Sequence, residues 1–157
     1  MWSKFFWLSL VLLVLITVPA AAGSGKLYLV SVGPGDPKYL TFQAIDTIQQ
    51  ADLVLADKFS GGLVGKYLEG KKVENPWDSL WWHQGKVWMK ELDRFPPEER
   101  ARIVKAKTQE RDAYVKKLRE LVAQGQKIAL LDGGDPTIYP RGFWLLEGFP
   151  EEEVEII

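Results

Sequence analysis

Apolar positions along the chain come as short compact blocks, as one long helical rhythm and as one unbroken leader, and each pattern predicts a different element. Leu27 to Val32 is a compact block that reads as a short buried strand. Gly33 to Pro37 sustains neither a strand ladder nor a helix, so the chain has to turn there. Thr41 can cap a helix whose apolar positions Phe42, Ala44, Ile45 and Ile48 precede Ala51. "ADLVLAD", bounded by Asp52 and Asp57, predicts a second buried strand. Strand, loop, helix, strand is a βαβ unit, which argues for a parallel sheet with a right-handed crossover.

Further along, "RFPPEERARIVKAKTQERDAYVKKLRELVAQG" opens on a proline start signal and closes with Gly125 where helices terminate. Tyr114, Val115, Leu118, Leu121 and Val122 recur at helical spacing among lysines, arginines and glutamates, which predicts a long amphipathic helix. "KIALLD" gives a third buried strand, "GGDPTIYPRG" a second glycine and proline break, Phe143 to Leu146 a short helix, and "EVEII" a strand. The expected fold class is α/β, a mainly parallel sheet with flanking helices.

The leader is a separate matter. "MWSKFFWLSLVLLVLITVPAAAG" has a basic start at Lys4, an apolar run from Phe5 to Val18, then Pro19 and three alanines. That order fits a secretory signal peptide over residues 1–22, cleaved after Ala22. The run is shorter than the ~20 residues of a usual membrane span, but with the alanines it allows an uncleaved anchor through residues 5–22. The expected location is therefore exported, periplasmic or extracellular, or membrane-anchored, with residues 26–157 as the folded domain.

Composition narrows the class. At 157 residues the chain suits one domain with an appendage, and 46% hydrophobic with 26% charged residues is globular. Twenty basic against 21 acidic residues give no electrostatic reason to expect a nucleic acid partner. The absence of cysteine excludes disulfides, iron–sulfur clusters and thiolate zinc sites.

The chemistry concentrates at the two breaks. Gly33-Pro34-Gly35-Asp36 and Gly133-Gly134-Asp135-Pro136 both follow buried strands, where the loops of an open α/β sheet meet at its carboxyl edge and ligands bind. Glycine there admits close backbone approach, and each aspartate offers an acceptor for a loop, a hydroxyl or an amine. For either loop alone an ordinary tight turn is the simpler reading; two on one edge weaken it. "GPGDPK" lacks the third glycine of a dinucleotide fingerprint, and Pro34 removes an amide that would face a pyrophosphate. The glycine-lysine-hydroxyl signature of a triphosphate loop is also absent.

"LYLVSVGPGDPKYLTFQAIDTIQQADLVLAD", followed about a hundred positions later by "ALLDGGDPTIY", resembles the tetrapyrrole methylase family, S-adenosylmethionine-dependent enzymes that methylate corrin and porphyrin precursors. The resemblance covers Lys26 to about Ser60 and Lys127 to Ile157. It implies the amino-terminal α/β domain of a two-domain enzyme, with the methyl donor in the cleft. Carried over residue by residue, Pro34, Gly133, Gly134, Asp135 and Ile138 would contact S-adenosylmethionine. Asp57 matches the aspartate proposed as proton acceptor, a task that carbon methylation of a pyrrole requires. A homodimer stays open.

The sequence departs from the family at three places. Ser31 stands where the family commonly has glycine, no lysine aligns with a family residue proposed as proton donor, and Ile157 falls where a second domain would follow, so the domain is expected to be incomplete by itself. The tryptophan-rich "NPWDSLWWHQGKVWMK" offers two readings. Trp77, Trp81, Trp82 and Trp88 could floor a macrocycle site with His83 as a metal's axial ligand, Trp81, Trp82 and His83 then touching substrate; packing is the simpler reading of an aromatic cluster. An exported domain would be separated from its donor, and Lys4 favours an inside amino terminus. The alternative function is therefore a noncatalytic exported or anchored module that binds a tetrapyrrole or a protein.

Overall fold

Compact apolar blocks bounded by glycine and proline are long enough for strands buried on both faces and too short for core helices. The computed structural model, which describes residues 25–77, 92–138 and 142–157, bears this out. In chain order the elements are β1 (Lys26–Ser31), a 3₁₀ turn (Pro37–Tyr39), α1 (Phe42–Gln50), β2 (Leu53–Leu55), α2 (Lys58–Leu63) and a 3₁₀ turn (Gly65–Tyr67). There follow β3 (Val73–Glu74), α3 (Pro97–Ala123), β4 (Lys127–Asp132), α4 (Phe143–Leu146), a 3₁₀ turn (Glu151–Glu153) and β5 (Val154–Ile156). The strands form one sheet in the order β3-β2-β4-β1-β5, every pair parallel.

Alternation along the strands divides the core in two. Leu27, Leu29, Leu53, Leu55, Ile128 and Leu130 face Leu118 and Val122 of α3 and Trp144 and Leu145 of α4. Val30, Val32, Val54, Ala56, Ala129 and Leu131 face Ala44 and Ile48 of α1. Each central strand thus buries both rows, which is why its sequence reads as a continuous apolar run.

Caps and breaks delimit the helices as the sequence suggests. Thr41 Oγ1 accepts from the Ala44 N–H at 3.0 Å, and Gly125, past the end of α3, has φ +87°. Phe42, counted among the apolar positions of α1, is instead 88% exposed, because α1 turns Ala44 and Ile48 to the sheet and Phe42 lies off that face. The sequence pattern also passed over α2 and β3. Glycines at 61 and 62 hide the first, and β3 is a two-residue edge strand.

The long helix is tied to that edge strand. Tyr114 Oη donates to Glu74 at 2.8 Å, and Lys117 Nζ reaches both Glu74 oxygens at 2.9 Å. Burial acts to raise the Glu74 pKa, but the bonds from Lys117 and Tyr114 outweigh it and hold the carboxyl below its ordinary range. Burial first, and then the bond to Glu74, push the Tyr114 phenol up.

Trp77 lies in the same buried cluster as Trp144, 7% exposed, which is the packing role and not the floor of a macrocycle site. Trp81, Trp82, His83, Trp88 and the apolar leader of residues 1–22 lie outside the described residues. Among the described residues no helix is long and apolar enough to cross a membrane, and no cluster of three or more histidine, aspartate or glutamate side chains could hold a metal ion.

Candidate functional site

The connections around the sheet fix where a ligand can enter. From β1 the chain crosses on the α1 face toward β2, whereas from β4 it crosses on the α4 face toward β5, in the opposite direction. Two crossovers of one hand running in opposite directions must use opposite faces. The loops after the neighbouring strands β1 and β4 therefore part, one to each face, leaving a crevice at the carboxyl edge.

Both sequence-predicted breaks lie at that edge and touch. The Gly134 N–H donates to the Gly33 carbonyl at 2.9 Å, an isolated antiparallel bridge beyond the end of the parallel ladder. Ser31, the last residue of β1, adds a second link: its Oγ donates to the Gly134 carbonyl at 2.7 Å and accepts from the Gly33 N–H at 3.3 Å. Ser31 is thus a side-chain staple between the two loops, a role that its place in the sequence did not announce.

The loops are built alike. Gly35-Asp36-Pro37 and Gly134-Asp135-Pro136 each carry a glycine at positive φ, +121° and +81°. Each aspartate then accepts from the backbone N–H two residues on, Asp36 from Lys38 at 3.0 Å and Asp135 from Thr137 at 2.8 Å. Asp135 also accepts from Thr137 Oγ1 at 2.6 Å, and Asp36 pairs with Lys38 Nζ at 2.8 Å. These partners lower both carboxyl pKa values, Lys38 first for Asp36 and the Thr137 hydroxyl first for Asp135. Both aspartates consequently stay ionised at neutral pH and hold their own loops.

The other predicted residues take definite places. Pro34 is exposed at the tip of the first loop, and Ile138, 64% exposed, follows the second. A Cβ on Gly134 would find nothing within 4 Å, so backbone there is open to a ligand. Asp57 is the N-cap of α2: its Oδ1 accepts from the Ser60 N–H at 2.7 Å and Oγ at 2.6 Å, and its own N–H donates to Ser60 Oγ at 3.2 Å. β2 neighbours β4, so this capping box sets the Asp57 carboxylate on the same edge as Gly133 and Gly134.

One residue of the site escaped the motif reading. Phe59, on the first turn of α2, comes near both loops and is 55% exposed. The signal available was an aromatic residue two positions after a strand-ending aspartate. A separate groove of about 630 Å³, lined by the second half of α3 together with Trp144 and Glu147, carries charges of both signs, among them the Arg111–Asp112 pair at 2.9 Å.

Residues 26–157 match the profile of the Tetrapyrrole (Corrin/Porphyrin) Methylases. The chain is 34% identical over 131 residues to siroheme synthase 2 of Halorhodospira halophila and 32% over 123 residues to a siroheme synthase of Pseudomonas paraeruginosa. These alignments cover 83% and 78% of this chain but 22% of each relative, so the chain spans under a quarter of their length. Among solved structures, a uroporphyrin-III-C-methyltransferase from Thermus thermophilus superposes with a TM-score of 0.52 at 23% identity, over 85% of this chain and 47% of that one. A cobalt precorrin-4 methyltransferase gives 0.50 at 25% identity, over 84% and 44%.

Proposed function

Because the chain belongs to the tetrapyrrole methylase family, we propose that its carboxyl-edge crevice forms one wall of a methyl-transfer site that takes S-adenosylmethionine as donor and a tetrapyrrole as acceptor. The carrying observation is the hydrogen-bonded meeting of the Gly33 and Gly134 loops at the switch point. The residues suit such a donor. Open backbone at Gly134 admits close approach, Ile138 offers exposed apolar surface, and the ionised Asp36 and Asp135 favour a cationic ligand.

S-adenosylmethionine, when bound, supplies an electrophilic methyl group. The part of this chain is to hold that ligand against rigid backbone and to accept the proton that a pyrrole carbon gives up, a task assigned to Asp57. The capping box orients the Asp57 carboxylate before any ligand arrives, so little ordering is left for the reaction. Calorimetry of the full chain with S-adenosylhomocysteine tests the donor site. Saturable heat, lost in Gly134→Leu, is expected; no heat in the unsubstituted chain would overturn the proposal.

The apolar leader supports a proposal about location: residues 5–22 direct the domain to export or tether it to a membrane. Fractionation of a carboxyl-terminally tagged chain tests it, and full recovery in the cytoplasm would refute it.

A further inference from the structure

Phe59 stands where three strand ends converge. A Cβ on Gly35 would lie 3.7 Å from Phe59 Cζ, and one on Gly133 would lie 3.4 Å from Phe59 Cε1. A methyl group at either position would meet the ring in ordinary van der Waals contact, so the ring lies over both glycines and reaches from the loop after β1 to the loop after β4. More than half of the residue is nonetheless exposed, so one part lies over the two glycines while the rest is open to solvent. Burial in the core would have removed far more apolar surface from water, and the capping box of α2 holds the first turn, and with it the ring, at the edge.

Position decides what the ring would meet. Open backbone for a donor lies at Gly134, with Asp135 and Ile138 exposed beside it, whereas Phe59 belongs to the same helical turn as Asp57. A carbon that receives a methyl group and loses a proton must sit between donor and base, and Phe59 borders that interval. We propose that Phe59 is the specificity-determining platform on which a pyrrole ring of the substrate stacks, fixing the ring plane between the glycine loops and Asp57. The inference rests on the methylase reading above. An aromatic platform selects for the π face of a pyrrole, while the ring's anchorage on two glycines keeps it from following a misplaced ligand.

The test uses the full chain and three variants, Phe59→Leu, Phe59→Ala and Phe59→Trp, titrated separately with uroporphyrin III, by fluorescence quenching, and with S-adenosylhomocysteine, by calorimetry. Phe59→Leu keeps an apolar side chain against Gly35 and Gly133, so the readout survives if Phe59→Ala loosens the fold. The expected result is about a tenfold rise in the uroporphyrin Kd for the leucine and alanine variants, an S-adenosylhomocysteine Kd within about twofold of the original, and recovery of uroporphyrin binding in Phe59→Trp. Unchanged uroporphyrin binding in Phe59→Leu, or a loss confined to S-adenosylhomocysteine, overturns the inference. Binding of S-adenosylhomocysteine without any binding of uroporphyrin overturns it while sparing the donor site; binding of neither overturns both.

Discussion

Ser31→Ala removes one hydroxyl and should loosen the crevice measurably. In the structure that hydroxyl donates to the Gly134 carbonyl at 2.7 Å and accepts from the Gly33 N–H at 3.3 Å. The first bond is short and contributes about 1 kcal/mol net, the second is long and contributes a few tenths. Gly33 and Gly134 are only half-buried, so water can replace the lost partner and the full cost of stranding a polar group does not apply. The loss is then about 1.5 kcal/mol, which for a chain of this size lowers Tm by about 3–6 °C. Ser31→Gly should fall further, by about 0.5–1 kcal/mol, because glycine in a strand loses more backbone freedom on folding. Ser31→Thr keeps the hydroxyl and should restore most of the stability. Thermal melts followed by circular dichroism give the ranking. If Ser31→Ala melts within about 1 °C of the original chain, the hydroxyl is not a staple and the reasoning from those two distances is wrong.

Gly134→Ala meets no neighbour within 4 Å but must hold φ +81°, so about 1 kcal/mol of strain and weakened S-adenosylhomocysteine binding are expected from melts and calorimetry; unaltered binding would mean that ligand does not approach this backbone. Gly148→Ala places a Cβ 2.2 Å from Val115 Cγ1 and should cost about 1–3 kcal/mol by overpacking, read in urea. Glu74 has a folded pKa below its ordinary 4.5, so its stabilisation is present above that value and is lost as pH falls through the lowered one. Glu74→Gln should therefore flatten the acid side of a Tm–pH profile below about pH 4.5; an unchanged slope would contradict the shift. Asp57→Asn retains an oxygen for the Ser60 donors and should leave Tm near the original while abolishing the proposed methyl transfer, whereas Asp57→Ala should also lose about 1 kcal/mol of capping.

Much of the fold was legible because local signals agreed. Lys127–Asp132 and Phe143–Leu146 have the limits that the sequence suggests, since a glycine-proline break bounds each. Thr41 and Gly125 mark helix ends by side-chain and backbone chemistry that any context would reward. What escaped depends on partners distant in the chain. β3 is a strand only because Val54 and Leu55 offer it a ladder, and the first turn of α2 is fixed by Asp57 against a glycine-containing sequence that alone would not stay helical. In the site, the two loops and their aspartates could be picked out from composition. The Ser31 staple could not, because its acceptor lies 103 positions away. Phe59 was hidden for the same reason: the loops it lies over, at Gly35 and Gly133, are distant from it in the chain and carry no side chain that would point to it.

The distribution of exposed apolar residues gives an independent reason to look at this edge. Among the described residues, the exposed large hydrophobics are Tyr39, Phe42, Phe59, Val73, Phe95, Ile138, Phe143 and Ile156. Tyr39 and Phe42 follow β1, Phe59 follows β2, and Ile138 and Phe143 follow β4, so five of the eight stand beyond the carboxyl ends of adjacent strands. Chance scatter would place them equally at the amino ends, where the described turns are instead closed by Asp52, whose carboxylate accepts from the Lys127 N–H at 2.8 Å. Loops that are held by their own aspartates and joined through Ser31 have little freedom left to lose when something docks on them. A rigid polar frame carrying exposed apolar side chains is the combination in which binding gains hydrophobic burial without a large ordering cost, and among the described residues the carboxyl edge has both.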